Sequence, residues 1–312
     1  MGENTQTMKP ERSYCTLSDK NYLLNGMALI ESLIKHSSEK FKLYYLCLDK
    51  ETFAVLKNLN YPHVFPIRMS ELEKTQDFET LKANTSYIEN SHECTYCFAL
   101  ASFFSEYLVS NKGLKEILYI DSDIIFYQDP RFIFEEIGDR SIGVMLHRHV
   151  PIGHHVGGYN VGVVYFKNNS VGYKCLKWWR DCVMNPQNEW FDPYGRVGDQ
   201  TYLEAFGKLF GDKNLSVIDH SIGHGAPWNF WLYEYDEDEI IWEGRRQKMS
   251  FIHFSHFCPD FAGGSYTPDR DGEWGSLVHL KHPRVKKYYD DYFFTLKNMS
   301  EKLEKYKIGE TL

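Results

Sequence analysis

Hydrophobic positions alternate along most of the chain between two rhythms, short apolar runs and helical repeats. Tyr14-Cys15-Thr16-Leu17 reads as a buried strand, and Tyr22 to His36 places Leu23, Met27, Ile30 and Ile34 on one helical face. Lys42 to Leu48 reads as a second strand, Thr52 to Leu59 as a second helix and His63 to Ile67 as a third strand. Residues 68–92 are polar and weakly patterned, which suits short helices over a sheet edge. Tyr96 to Val109 is a strongly apolar helix, stopped at Asn111-Lys112-Gly113. Ile117 to Ile120 follows as a buried central strand. Ser141 to Leu146 and Asn160 to Phe166 read as strands, Gly172 to Met184 and Asp199 to Phe206 as helices, and Met249 to Phe254 as a late strand. Strands alternating with helices need parallel crossovers, so the fold class is α/β: a mostly parallel, doubly wound sheet flanked by helices.

From about residue 261 the pattern changes. Gly263-Gly264-Ser265, Pro268 and Asp271-Gly272 form a loop, and a charged helix follows. The expected organisation is a disordered leader over 1–12, one domain over 13–260, and a loop with a C-terminal helical tail or small cap over 261–312.

The strongest chemical signal is Asp121-Ser122-Asp123, directly after the central strand. On an extended segment alternate residues point the same way, so both carboxylates can face one ion. Their hard oxygens suit Mg²⁺ or Mn²⁺, and the carboxyl ends of the strands are where an open α/β sheet binds ligands. His253-Phe254-Ser255-His256 lies at the end of the late strand, and either His253 or His256 could complete the site as an imidazole ligand. Asp199 and Gln200 open a helix, where capping free amides is the plain role for Asp199 and leaves Gln200 unexplained. Tyr159-Asn160-Val161-Gly162 suits either close backbone approach to a ligand or a β-bulge. Asp19-Lys20-Asn21-Tyr22 resembles a helix cap, and Asp129-Pro130 a turn. Cys94 and Cys97 form a C-x-x-C without a second pair, so two buried thiols fit better than zinc. Of the tryptophans, Trp178, Trp179, Trp228 and Trp231 could stack on a sugar, though most belong in the core.

Composition narrows the partners. A net charge of -8 excludes DNA or RNA as the main partner but leaves room for a nucleotide held through a metal. The lysines of 281–287 and 297–307 fit a solvated helix face or, as the alternative, a peripheral contact with an anionic membrane. No run is long enough to span a bilayer, and Met1 to Arg12 lacks the apolar segment of a signal peptide. The seven scattered cysteines then read as reduced thiols, and the setting as cytoplasmic.

In this order the motifs resemble nucleotide-sugar glycosyltransferases of the GT-A (Rossmann-like) fold, of the family 8 type and related bacterial surface-glycan transferases. The resemblance covers about residues 13–258. It implies a nucleotide site around Thr16, Asp19, Asn21, Tyr22, Asp121 and Ser122, with the Asp-x-Asn-Tyr reading a uracil base. It further implies Mn²⁺ (or Mg²⁺) on Asp121, Asp123 and His253, and a donor sugar against Asn160, Gly162, Asp199 and Gln200. Asp199 and Gln200 are the implied catalytic pair. The implied reaction moves a sugar from a nucleotide diphosphate, UDP-linked, to a glycan, lipid-linked or protein acceptor with retention. Two positions depart from the family pattern: Phe98 stands where an arginine is usual, and Cys258-Pro259-Asp260-Phe261 replaces a Lys-Pro-Trp. Ala226-Pro227-Trp228-Asn229 resembles the surface-glycan relatives and suits the acceptor side. No acid is placed well for an inverting base, Asp192 and Asp260 being the nearest possibilities. The rival readings are an aspartyl phosphohydrolase, which also sets D-x-D after a strand, and a non-catalytic carbohydrate-binding protein of the same fold.

Overall fold

The computed structural model describes residues 11–84, 95–148, 157–184, 199–219, 223–236, 239–270 and 282–309. The chain opens with β1 (Glu11–Ser18), α1 (Leu23–His36), β2 (Lys40–Cys47), α2 (Lys50–Leu59) and β3 (Val64–Arg68). The strand thus starts at Glu11, inside the expected leader. α2 shows how local sequence sets its ends: Asp49 accepts from the Thr52 amide at 2.7 Å, and Asn60 closes it in the left-handed conformation. Short helices α3 (Met69–Leu72) and α4 (Phe78–Asn84) precede α5 (Thr95–Lys112), β4 (Glu116–Ile120), β5 (Ile124–Phe126), α6 (Arg131–Ile137), β6 (Ile142–Leu146), β7 (Tyr159–Lys167) and α7 (Gly172–Met184). The expected helix at Asp199 is a 3₁₀ turn, Gln200–Ala205, leading into α8 (Phe206–Phe210). Then come β8 (Leu215–Ile218), β9 (Gly223–Gly225), β10 (Glu234–Asp236), β11 (Glu239–Trp242), β12 (Arg245–His253), the hairpin β13 (Cys258–Asp260) and β14 (Ser265–Thr267), and α9 (Pro283–Gly309).

Seven strands form the main sheet in the order β3-β2-β1-β4-β7-β6-β8. Four of its pairs are parallel, and only β7 runs against its neighbours β4 and β6. Both faces are covered, which is why β4 reads as a continuous apolar run. Ile117 and Tyr119 join one cluster with Leu100, Phe104 and Trp179 of α5 and α7; Leu118 and Ile120 join the other with Met27, Ile30 and Leu33 of α1. Each of the Leu, Ile, Met and Phe side chains among these contributes roughly 1.5–3 kcal/mol of burial.

A second sheet runs β10-β11-β12-β5, with β9 parallel to β12. The chain passes from the first sheet to the second between β4 and β5, so the D-x-D lies at the crossing. α9 packs into a third cluster with Phe230, Ile252 and Phe254; Tyr292 stacks on Phe254 at 3.9 Å, and Asn25 of α1 donates to the Tyr292 hydroxyl at 2.8 Å. The helix therefore caps the segment that follows His253. Its outer lysines pair along the helix, Lys286 with Asp290 and Lys287 with Asp291, as a solvated face does. Among the described residues no helix is long and apolar enough to cross a membrane. Cys15, Cys47, Cys175, Cys182 and Cys258 are free thiols; Cys94 lies outside the described residues, as does Asp192.

Candidate active site

Asp121, Ser122 and Asp123 do not form the extended segment expected of them. They make a tight turn, with the Ile124 amide donating to the Asp121 carbonyl at 3.3 Å. The turn is pinned on both sides. Asp121 N–H donates to the Gly162 carbonyl of β7 at 3.0 Å, and Phe254 N–H donates to the Asp123 carbonyl at 2.9 Å. Antiparallel pairing of β5 with β12 sets His253 opposite Ile124, beside the second acid. His253 Nε2 then stands 3.1 Å from Asp123 Oδ1 and 3.7 Å from Asp121 Oδ2.

These three donors fit a hard divalent cation. Ligands held about 2.1 Å from an octahedral ion sit about 3 Å apart at right angles, and one atom from each residue lies within 4.8 Å of the others. His256 is not part of this group. Its backbone is left-handed (φ 60°) and its Nδ1 faces Asp269 Oδ1 at 3.6 Å.

The charges are unbalanced in the way a cation would correct. Burial, and then Asp123 against the pull of His253, leaves the Asp121 carboxyl above its ordinary range. Asp123 is more enclosed, yet the charge and hydrogen bond of His253 hold it below that range. Burial disfavours the His253 imidazolium, but Asp123 and Asp121 outweigh it and raise the ring's pKa. Asp199 is pushed well above the usual carboxylate range by burial and then by Asp121. Tyr119, which the sequence reading did not single out, donates its hydroxyl to Asp121 Oδ1 at 2.7 Å. Its signal was its place two residues before Asp121, on the same side of β4.

The expected sugar-side residues gather here too, on different terms. Asp199 is buried and makes no side-chain capping bond, which corrects the capping reading; its carbonyl accepts from Trp179 Nε1 at 2.9 Å. Gln200 Oε1 accepts from Val161 N–H at 3.0 Å and from Asn160 Nδ2 at 3.2 Å. Asn160 Oδ1 in turn accepts from Gly162 N–H at 3.0 Å. The register of β6 with β7 shifts across this segment, so the pairing is irregular here, as the bulge reading expects. A Cβ on Gly162 would lie 2.9 Å from His253 Cε1 and Nδ1, so the glycine makes room for the ring.

Of the residues expected on the nucleotide side, Asp19, Asn21 and Tyr22 form a separate, exposed turn. Asp19 accepts from the amides of Asn21 and Tyr22 at 2.9 and 3.2 Å, and Asn21 Nδ2 bonds its other oxygen at 2.7 Å. α1 carries no side-chain cap from it, since Tyr22 occupies the cap position. Ser122 is buried between the acids. Thr16 is fully buried on β1, and its Oγ1 has no hydrogen-bond partner among the described residues. Phe98 is exposed on α5. Asp260 is exposed and accepts from Gly263 N–H at 2.8 Å, a turn role. Asp129 likewise accepts from Arg131 N–H at 3.1 Å. Trp179 and Trp228 are buried, while Trp231 keeps 39% of its surface exposed.

The family model described as Glycosyl transferase family 8 matches residues 15–135. The chain is 29% identical over 262 residues to YfnF, an uncharacterized protein of Bacillus subtilis (strain 168), covering 78% of this chain and 81% of that one. Mouse xyloside xylosyltransferase 1 in its apo form superposes with a TM-score of 0.52 at 15% identity, over 79% of this chain and 98% of that one. The galactosyltransferase LgtC, solved with donor and acceptor sugar analogues, does so with a TM-score of 0.51 at 17% identity, over 78% and 87%. The solved structures carry the GT-A fold, residues 15–135 are similar to glycosyl transferase family 8, and the chain is a glycosyltransferase.

Proposed function

We propose that the chain transfers a sugar from a UDP-linked donor to a glycan, lipid-linked or protein acceptor, in a metal-dependent reaction with retention of configuration. The observation that carries this reading is the convergence of Asp121, Asp123 and His253 Nε2 within 4.8 Å, on the crossing between the two sheets. These three would hold Mn²⁺ or Mg²⁺, which when bound neutralises the charge that develops on a departing diphosphate.

The remaining roles belong to the chain's own groups. Asp19, Asn21 and Tyr22 offer an exposed, pre-formed turn to the base, and Tyr22 keeps 37% of its surface exposed for stacking. Thr16 contributes through its position on β1, and Ser122 through its place between the acids. Asp199 orients hydroxyls of the sugar ring; burial and Asp121 favour its protonated form, which makes it a donor as well as an acceptor. Asn160 and Gly162 line the same side. Gln200 lies at the anomeric face with its carbonyl oxygen already held by Val161 and Asn160, so it acts by positioning rather than by attack. The acceptor hydroxyl then approaches from the leaving-group face, so configuration is retained.

The test is thermal-shift titration against UDP, GDP, CDP and dTDP, each with Mn²⁺ and with EDTA. Metal-dependent stabilisation by UDP alone is expected. An equal response to all four, or none to any, would overturn the donor assignment.

A further inference from the structure

A metal-binding histidine usually donates its second ring nitrogen to a carboxylate, a carbonyl or water, and that bond sets the plane of the ring. His253 does not follow this rule. Its Nε2 faces the acids, while Nδ1 is buried and has no hydrogen-bond partner among the described residues. Histidine χ2 is a broad, roughly two-fold torsion, so an unbonded ring needs another constraint.

Contact supplies it. The indole of Trp228 meets the imidazole edge to face, with centroids 5.2 Å apart and planes at 82°. Gly162 closes on Cε1 and Nδ1, where even a methyl group would collide. Both neighbours are themselves anchored. Trp228 is 2% exposed, its Nε1 donates to the His147 carbonyl at 2.9 Å, and its ring packs against His147 and His224 at 4.9 and 6.3 Å. Gly162 is tied by its amide to Asn160 and by its carbonyl to Asp121, while Gln200 grips the adjoining Val161.

We propose that Trp228 and Gly162 are the positioning residues of the cation site, wedging the His253 ring so that Nε2 stays turned toward Asp121 and Asp123. This rests on the reading of those three side chains as a cation site. It also gives Trp228 a task apart from sugar stacking, and Gly162 one apart from contact with the donor.

The experiment titrates Mn²⁺ into the full chain, alone and with UDP, following loss of the free-ion EPR signal. The chains compared are the parent, Trp228→Leu, Trp228→Phe, Gly162→Ala, His253→Ala and the double variant Trp228→Leu/His253→Ala. Thermal unfolding in EDTA checks that each is folded. Trp228→Leu and Gly162→Ala should weaken Mn²⁺ binding about 10- to 100-fold, and Trp228→Phe, which keeps an aromatic edge, by less. In the His253→Ala background, Trp228→Leu should cost nothing further, because there is no ring left to hold. Should Trp228→Leu or Gly162→Ala fail to fold, Trp228→Phe with and without His253 makes the same comparison. Parent-like Mn²⁺ affinity in the folded variants, or equal losses with and without His253, would overturn the wedge alone. A parent chain that takes up no Mn²⁺, with or without UDP, would overturn the cation reading and the wedge with it.

Discussion

Two parts of the site are built on opposite terms. The turn Asp19-Lys20-Asn21-Tyr22 is local and solvated: one carboxylate satisfies two amides and a side chain within its own four residues. The group Asp121, Asp123 and His253 joins two sheets and is largely enclosed, with side-chain exposures of 25, 12 and 6%. The turn's carboxylate is satisfied locally, whereas the enclosed group has Asp121 pushed up in pKa, His253 pushed up by Asp123 and Asp121 against burial, and Asp199 beside it pushed up by burial and Asp121. The difference teaches where a ligand adds stability. A solvated turn gains specificity from its ligand; a buried, unbalanced cluster gains charge balance as well.

That contrast can be broken most directly at Asp123. Asp123→Asn should lower turnover by about 10²- to 10³-fold with thermal unfolding in EDTA little changed; parent-like turnover of the donor would show that the buried acids do not serve the chemistry. Next in size is linkage: at a hundred times its dissociation constant, UDP with Mn²⁺ should add about 2.7 kcal/mol of stability, read as a melting shift that EDTA removes.

A smaller effect follows from pH. His253 must be neutral to ligate, and the acids raise its pKa above the ordinary histidine value. Mn²⁺ affinity should therefore fall as pH drops through that raised pKa, by about tenfold per unit below it; an affinity flat from pH 8 to about 6 would contradict the geometry. Without metal the sign is reversed for this group: the stability His253 draws from its acids is fully present below its unfolded pKa and is lost as pH rises through the folded one. The smallest effect on stability belongs to the turn. Asp19→Ala should change unfolding free energy by no more than about 0.5 kcal/mol, while weakening UDP binding by about 1.5 kcal/mol in calorimetry. A large loss of stability would show that the turn is structural after all.

Much of the main sheet was legible because its strands are buried on both faces and therefore written as apolar runs; Ile117 to Ile120 lies within β4 almost to the residue. α7 was legible to its ends, since Gly172 and Met184 bound a strong helical period. The acids were found for the same reason, as polar residues directly after a buried strand. Their geometry was not. An extended D-x-D and a tight turn have the same sequence, and only the amides of Ile124 and Phe254 and the carbonyl of Gly162 select the turn. The position of Asp199 permits a helix cap, but the 3₁₀ turn that follows does not use its carboxylate in that way.

By itself, then, the sequence determined the α/β alternation, the placement of two acids at a strand's carboxyl end, and an order of motifs that resembles glycosyltransferases. These are properties of local pattern, and local pattern is carried by neighbouring residues. The residues by themselves left His253 and His256 open and the resemblance favoured His253; tertiary structure brought His253 to the acids and alone decided that Gly162 and Trp228 flank its ring and that α9 seals the segment behind it. Those outcomes depend on the pairing of β12 with β5 and on packing between clusters, contacts made across long stretches of chain that no window of sequence contains.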